Sequence, residues 1–338
     1  MIINRAKIFK RIWIVLLATI VFSWLGTLQV VAIDSLSGAG ASFPETLYDK
    51  YFQEYQKETG VRVKYSAIGS GSGIRRFIAD TVDFAASDAP PTELEKSQIK
   101  RGLQLVPTAG GAVAIIYNLK GSTTDVSISR DKLAKIFTGQ ISNWKQVNPR
   151  LPTQTINVVV RSDSSGTSYI FSNFLSEVTG GKIKASKKPN WGFKVFSKRP
   201  QNSGVAGEVK RIRGAITYVQ ASFAQKEGLP IARIQNRAGQ YVKPTIAEAN
   251  KALTEVQFND DFTVENIIDP KDGYPIVGVT WLLLHEQYPQ AVAKEIKSLV
   301  TWILTKGQTL NQGLQYTRIP EDVTKRAIAA VNQNITAR

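Results

Sequence analysis

Arg161-Ser162-Asp163-Ser164-Ser165-Gly166-Thr167-Ser168 sets one fixed cation beside a run of small hydroxyl residues and a glycine. A guanidinium, hydroxyl donors and the free N–H groups of a starting helix are the parts of an oxyanion site. Three other stretches have related chemistry. Ser37-Gly38-Ala39-Gly40-Ala41-Ser42-Phe43-Pro44 offers a hydroxyl and backbone donors ahead of a helix pattern, and Gln201-Asn202-Ser203-Gly204 is a small-polar turn at a helix start. Gly69-Ser70-Gly71-Ser72-Gly73 is glycine-rich, but it lacks the Lys-Ser/Thr ending of a nucleotide loop and does not match the dinucleotide fingerprint. Taken alone it is a flexible turn. Asp88, at the end of Val82–Ala89, reads locally as a turn or cap residue.

The elements that must position these residues follow from hydrophobic spacing. Ile156–Val160 is a β-branched apolar run of the kind that forms a buried strand, and Tyr169, Ile170, Phe171, Phe174 and Leu175 follow at helical spacing. Leu47, Tyr48, Tyr51, Phe52 and Tyr55 define one face of a helix that opens at Pro44 and ends at Gly60. Val61–Tyr65 alternates as a strand, and Thr92–Lys100 reads as an exposed helix. Two long extended runs, Leu105–Tyr117 and Asp272–Leu284, read as crossings between domains, and helices over 290–306 and 321–335 close the chain. Strands alternating with helices predict an α/β fold with largely parallel sheets. The crossings predict a discontinuous first lobe, 34–107 with 279–338, and a second lobe, 108–278. Ligands on such sheets bind beyond the carboxyl ends of strands, where the polar junctions fall.

Composition narrows the chemistry. There is no cysteine, so disulfides, thiolate catalysis, cysteine-based metal sites and a lipid on cysteine are excluded. His285 is the only histidine. With no metal-ligand spacing and no Gly-x-Ser-x-Gly elbow before a helix, neither a catalytic residue nor a metal site is expected. His285 itself reads as a strand-end surface residue. The net charge is +16. The basic clusters at 182–188 and 210–213 are short and not interleaved with aromatics, so they read as solvated faces rather than a nucleic-acid surface. Met1–Arg11 carries Arg5, Lys7, Lys10 and Arg11 and no acid, and Ile12–Ile33 is almost entirely apolar. Residues 1–33 read as a secretory signal peptide cleaved near Ala32, or as an uncleaved membrane anchor. The remaining chain would carry +12, that is +16 less the four leader cations.

Gly38-Ala39-Gly40-Ala41-Ser42-Phe43-Pro44, Ile68-Gly69-Ser70-Gly71-Ser72-Gly73, Val82-Asp83-Phe84-Ala85-Ala86-Ser87-Asp88-Ala89-Pro90 and Arg161–Ser168 occur in order and together resemble the phosphate-binding proteins of Pst ABC transporters. The likeness runs over essentially the whole chain after the leader. It implies a two-lobed, type II periplasmic binding protein fold: two hinged Rossmann-like domains closing on one inorganic phosphate, without a cofactor. It implies a bacterial periplasmic location, inner-membrane permease subunits as partners, and a monomer.

Carried over residue by residue, the resemblance implies a phosphate site of Ser42, Phe43 (by its backbone N–H), Ser70, Asp88, Arg161, Ser165, Gly166 and Thr167. The family often has threonine where this chain has Ser42, which keeps the hydroxyl. Asp88 is then explained as the acceptor of a phosphate proton. Sulfate has no such proton and would face the carboxylate with a lone pair, so Asp88 would select phosphate over sulfate. Asp163 is expected to orient Arg161, and Arg161 to pair with Asp88 or Asp163. The rivals are an exported hydrolase or phosphatase, a receptor for another tetrahedral oxyanion, and a phosphate sensor or accessory homologue.

Overall fold

The computed structural model describes residues 33–119, 125–265 and 267–338. The leader expected over 1–33 therefore lies outside the described residues, Ile33 excepted. Residues 34–338 form one compact unit. No described helix is long and apolar enough to cross a membrane.

Eight strands make the main sheet: β1 (Ser35–Gly40), β2 (Arg62–Ala67), β3 (Phe84–Ser87), β4 (Gln104–Tyr117), β5 (Asn157–Arg161), β6 (Ser197–Arg199), β7 (Ala215–Gln220) and β8 (Val277–Leu284). Their order is β2-β1-β3-β8-β4-β7-β5-β6. β1 pairs in parallel with β2 and β3, and β5 in parallel with β6 and β7. The expected largely parallel sheet is corrected at its centre, where β3/β8, β8/β4 and β4/β7 are antiparallel. The reason lies in the crossings: a chain that leaves one strand cluster along β4 and returns along β8 must run in opposite directions on the two strands. β4 divides its partners by length. Gln104–Ala112 pairs with β8, while Val113–Tyr117 pairs with β7. Every residue of β4 and β8 is buried, as a strand covered on both faces requires.

Six of the helices that pack on this sheet are α1 (Glu45–Thr59), α2 (Ser70–Ile78), α3 (Gly166–Thr179), α4 (Gln201–Arg211), α5 (Gln290–Leu304) and α6 (Glu321–Asn334). α1 buries the predicted face of Leu47, Tyr48, Tyr51, Phe52 and Tyr55 and stops at Gly60, whose φ of 79° is the left-handed turn that glycine adopts without strain. The expected helix over 92–100 shrinks to Glu93–Ser97. Its apolar content is too low for a longer amphipathic face, and a Thr92–Glu95 capping box holds only its first turn. The second extended run begins at Val277 rather than at Asp272, because Gly273 turns the chain at φ 74°.

Two aromatic clusters pin the strand groups. Tyr48, Phe52, Tyr65 and Phe84 meet over β1–β3. Phe137, Phe171, Trp191 and Tyr218 meet against α3, with Phe171 and Tyr218 stacked at 4.5 Å. Burying each such ring contributes roughly 1.5–3 kcal/mol, and the ring pairs about 0.5–1.5 kcal/mol more. One cluster packs on each strand group, and β4 and β8 run at the centre of the sheet between them.

Candidate functional site

Four helix N-termini converge where the two strand groups meet. β1 ends at Gly40, whose Cα lies so close to the Ala86 backbone that no side chain fits, and the chain turns through Ser42 and Phe43 into α1. Both residues are buried, and the Phe43 carbonyl accepts from Tyr316 Oη at 2.6 Å. α2 begins at Ser70 after Gly69. α3 begins at Gly166, with Ser165 as its N-cap: the Ser165 hydroxyl accepts from the Ser168 N–H at 3.1 Å. α4 begins at Gln201. The first N–H groups of each helix have no intrahelical partner, and each terminus carries partial positive charge.

These junctions touch one another. Gly166 N–H donates to Ser70 Oγ at 3.0 Å, and Gly71 N–H donates to the Ser164 carbonyl at 3.0 Å. Asn202 donates to Ser42 Oγ twice, from its backbone N–H at 3.0 Å and from Nδ2 at 2.9 Å. The same Nδ2 reaches Thr167 Oγ1 at 3.1 Å, and Asn202 Oδ1 accepts from Gln220 N–H at 3.0 Å. The structure thus gathers Ser42, Phe43, Ser70, Asp88, Arg161, Ser165, Gly166 and Thr167 around one buried centre. It adds Asn202, completely buried, as the residue that ties Ser42 to Thr167. The turn 201–204 is visible in the sequence as a polar helix start, but nothing in its spacing singles out Asn202.

Arg161 closes β5 and is buried, and its guanidinium is already partnered. Nε donates to Asp163 Oδ1 at 2.8 Å and Nη2 to Asp163 Oδ2 at 2.5 Å, while Nη1 lies 3.5 Å from Thr167 Oγ1. Asp163 Oδ1 also accepts from Gln201 N–H at 3.2 Å. Of the two expected pairings, the one with Asp163 forms; no Arg161–Asp88 ion pair occurs among the described residues. The carboxylate fixes the plane of the fork and leaves the Nη1 edge toward Thr167. Asp163 offsets Arg161 and Asp88 adds a further carboxyl, so the site has no net positive charge and attracts an anion through oriented N–H and O–H dipoles.

Asp88 is a second carboxylate at this centre, beside Asp163. Thr280, on β8, donates to its Oδ1 at 2.8 Å, whereas Oδ2 is buried without a partner among the described residues. Oδ2 faces Gly166: a Cβ built there would stand 2.5 Å from Asp88 Oδ2 and 2.5 Å from Ser70 Oγ. Burial pushes the Asp88 carboxyl up to about 7; the Thr280 hydroxyl and Arg161 pull it back, and Asp163 pushes it further up. Thr280 is a further residue that the sequence reading passed over, since a threonine inside an apolar strand looks like a β-former. The irregularity of pairing between Thr280 and Trp281 is the only local mark of its role.

Gly166→Ala is expected to weaken anion binding at least about a hundredfold. The added methyl would stand 2.5 Å from Asp88 Oδ2 and Ser70 Oγ and 2.6 Å from Asp88 Cβ, so these buried groups must shift. Overpacking of this kind costs about 1–3 kcal/mol, so a lowered Tm should accompany the lost binding, as calorimetry on the folded variant would measure.

His285 is corrected. It is buried rather than at the surface, because Phe77 and Tyr288 cover the end of β8. Its ring stacks on Phe77 with centroids 3.8 Å apart, and burial, with Arg101 nearby, pulls its pKa down to about 4. A neutral ring packed on a phenylalanine near Asp80, outside the converging helix ends, is a core residue.

The converging junctions on a sheet of this topology define a periplasmic-binding-protein superfamily domain, and the model of that superfamily matches residues 30–306. Within it the chain belongs to the PstS family of phosphate-binding proteins. It is 33% identical over 313 residues to the phosphate-binding protein PstS of Haemophilus influenzae, covering 88% of this chain and 93% of that one. It is 36% identical over 335 residues to PstS of Methanocaldococcus jannaschii, covering 87% and 84%. A high-affinity periplasmic phosphate-binding protein solved with phosphate at pH 8.5 superposes with a TM-score of 0.76 at 24% identity, over 88% of this chain and 93% of that one. A phosphate-binding protein from Stenotrophomonas maltophilia does so with a TM-score of 0.71 at 20% identity, over 90% and 96%. The fold is the two-lobed α/β fold of these binding proteins.

Proposed function

We propose that this chain binds inorganic phosphate, without a cofactor, where the four helix N-termini converge, and that it delivers the ion to the permease of a phosphate ABC transporter. It acts as a binding protein and not as an enzyme, in keeping with the named function of its relatives. The lobes are residues 34–107 with 279–338 and residues 108–278. Ser42, Phe43, Ser70 and Asp88 come from the first, Arg161, Ser165, Gly166 and Thr167 from the second, and closure about β4 and β8 completes the site. The protein works in the periplasm as a monomer after export on its leader.

The observation that carries this reading is the unpartnered Asp88 Oδ2 among so many donors. In its ionised form Asp88 only accepts, and an acceptor in a donor-lined site suits an oxyanion that brings its own proton, as phosphate does near neutral pH and sulfate does not. Several hydrogen bonds to a charged ligand, each worth about 1.5–3 kcal/mol net, support tight binding without a metal. Because Ser42 Oγ and Ser70 Oγ accept protein N–H groups, part of that gain replaces existing bonds.

The test is calorimetry with phosphate, arsenate and sulfate. Phosphate should bind, arsenate, protonated in the same way, should compete, and sulfate should fail by about 10⁴-fold or more. Equal affinities for phosphate and sulfate would make the chain a general oxyanion receptor and remove the role given to Asp88.

A further inference from the structure

We infer that Glu95 and Lys187 form a latch across the mouth of the cleft, so that they are positioning residues for the bound ion although neither belongs to the site. The inference rests on the two-lobed phosphate reading above. Lys187 Nζ donates to both Glu95 oxygens at 2.7 Å, across 92 residues of sequence. Their side chains are only 14% and 22% exposed, which separates the pair from ordinary surface pairs. Among the described residues, the other ion pair between the two lobes, Arg326–Asp260, is 3.5 Å long with a fully exposed carboxylate.

Both ends of the latch are fixed. Glu95 Oε2 accepts from Thr92 N–H at 2.8 Å and from Thr92 Oγ1 at 3.1 Å, and this capping box holds the carboxylate in one place. The neighbour of Lys187 is tied to α3: Ser186 N–H donates to Ser172 Oγ at 3.0 Å. The Lys187 carbonyl accepts the Ser165 N–H at 2.8 Å. One residue therefore anchors the N-cap of α3 through its backbone and reaches the opposite lobe through its ammonium. Opening the cleft would separate the ammonium from the carboxylate while each kept its local support. The pair thus acts on the lifetime of the closed complex and leaves the donors at the site unchanged.

The experiment uses the full chain with inorganic phosphate as probe. Release is followed by stopped-flow tryptophan fluorescence for wild type, Glu95→Gln, Lys187→Met and the double variant. Each single variant should release phosphate about tenfold faster at an unchanged Tm, and the double variant no faster than the singles. Release from wild type should quicken toward 1 M salt, where the screening length falls to about 3 Å, and release from Glu95→Gln should not. Wild-type release rates in correctly folded single variants, or effects that simply add in the double variant, would overturn the latch. So would a Lys187→Met that cannot bind beside a Glu95→Gln that behaves as wild type, since Lys187 would then act on the ion itself. If wild type showed no response to phosphate, the phosphate reading would be what failed. Small-angle scattering of the ligand-free protein would then decide the latch: a larger radius of gyration in Glu95→Gln supports it, and an identical one rules it out.

Discussion

Arg161→Ala should remove most phosphate binding. Arg161 is the one cation among the site residues, and its loss leaves the Asp163 carboxylate, whose side chain is only 12% exposed, without the guanidinium that neutralises it. Breaking a buried charge pair by removing one partner costs about 3–5 kcal/mol, a loss of roughly 10²–10⁴ in affinity. Part of that is the price of stranding Asp163 and part is the lost contact with the ion. Arg161→Met combined with Asp163→Asn separates the two, because neither member of the pair is then left as an unpaired charge. If the double variant regains stability but not binding, Nη1 acts on the ion. If the double variant binds as wild type does, or if Arg161→Ala alone keeps near-normal affinity in calorimetry, the assignment of Arg161 fails.

Asp88→Asn should collapse the phosphate/sulfate gap by at least about a hundredfold. An asparagine at this position turns an N–H toward Gly166 as readily as an oxygen, so a proton-free sulfate oxygen meets a donor instead of a lone pair. Phosphate keeps a partner in either orientation. The same variant has a stability signature. The ordinary carboxyl pKa of 3.8 is raised to about 7 in the fold. A raised acid favours the folded state fully below its unfolded pKa, and the advantage is lost as pH rises through the folded one. The ligand-free wild type should therefore weaken between about pH 4 and pH 7 by as much as about 4 kcal/mol from this group, and level off above. Asp88→Asn should flatten that slope and be the more stable protein at pH 8. Denaturant titrations across pH 4–8 measure it. An unchanged slope would show that Asp88 is not strained, and a sulfate affinity still beyond reach would show that it is not selective.

Much of the architecture was legible because its causes are local. The apolar face of α1, its stop at Gly60, the full length of β4 and the strand-to-helix step from β5 into α3 all follow from side-chain period and from glycine at a turn. The antiparallel centre of the sheet was not legible. Strand direction at β8 depends on where the chain returns from, and no period encodes that. His285 was misplaced for a similar reason: a residue one step past a strand is exposed or buried according to what packs over it, here Phe77 from α2, far away in sequence.

The site divides along the same line. The sequence alone determined which groups are available: one arginine beside an aspartate, hydroxyls at three helix starts, and an aspartate closing a strand. It also determined, through the absence of cysteine and the lone histidine, that these groups have no thiolate or histidine cluster to work with. Only the tertiary structure decided what each group does. Asn202 became the bridge from Ser42 to Thr167, Thr280 fixed one oxygen of Asp88, and Gly166 set the other facing the donors. Those relations join residues 35 to 192 positions apart, and a hydrogen bond is directional over about 3 Å, so it exists only once the strands have set the distance.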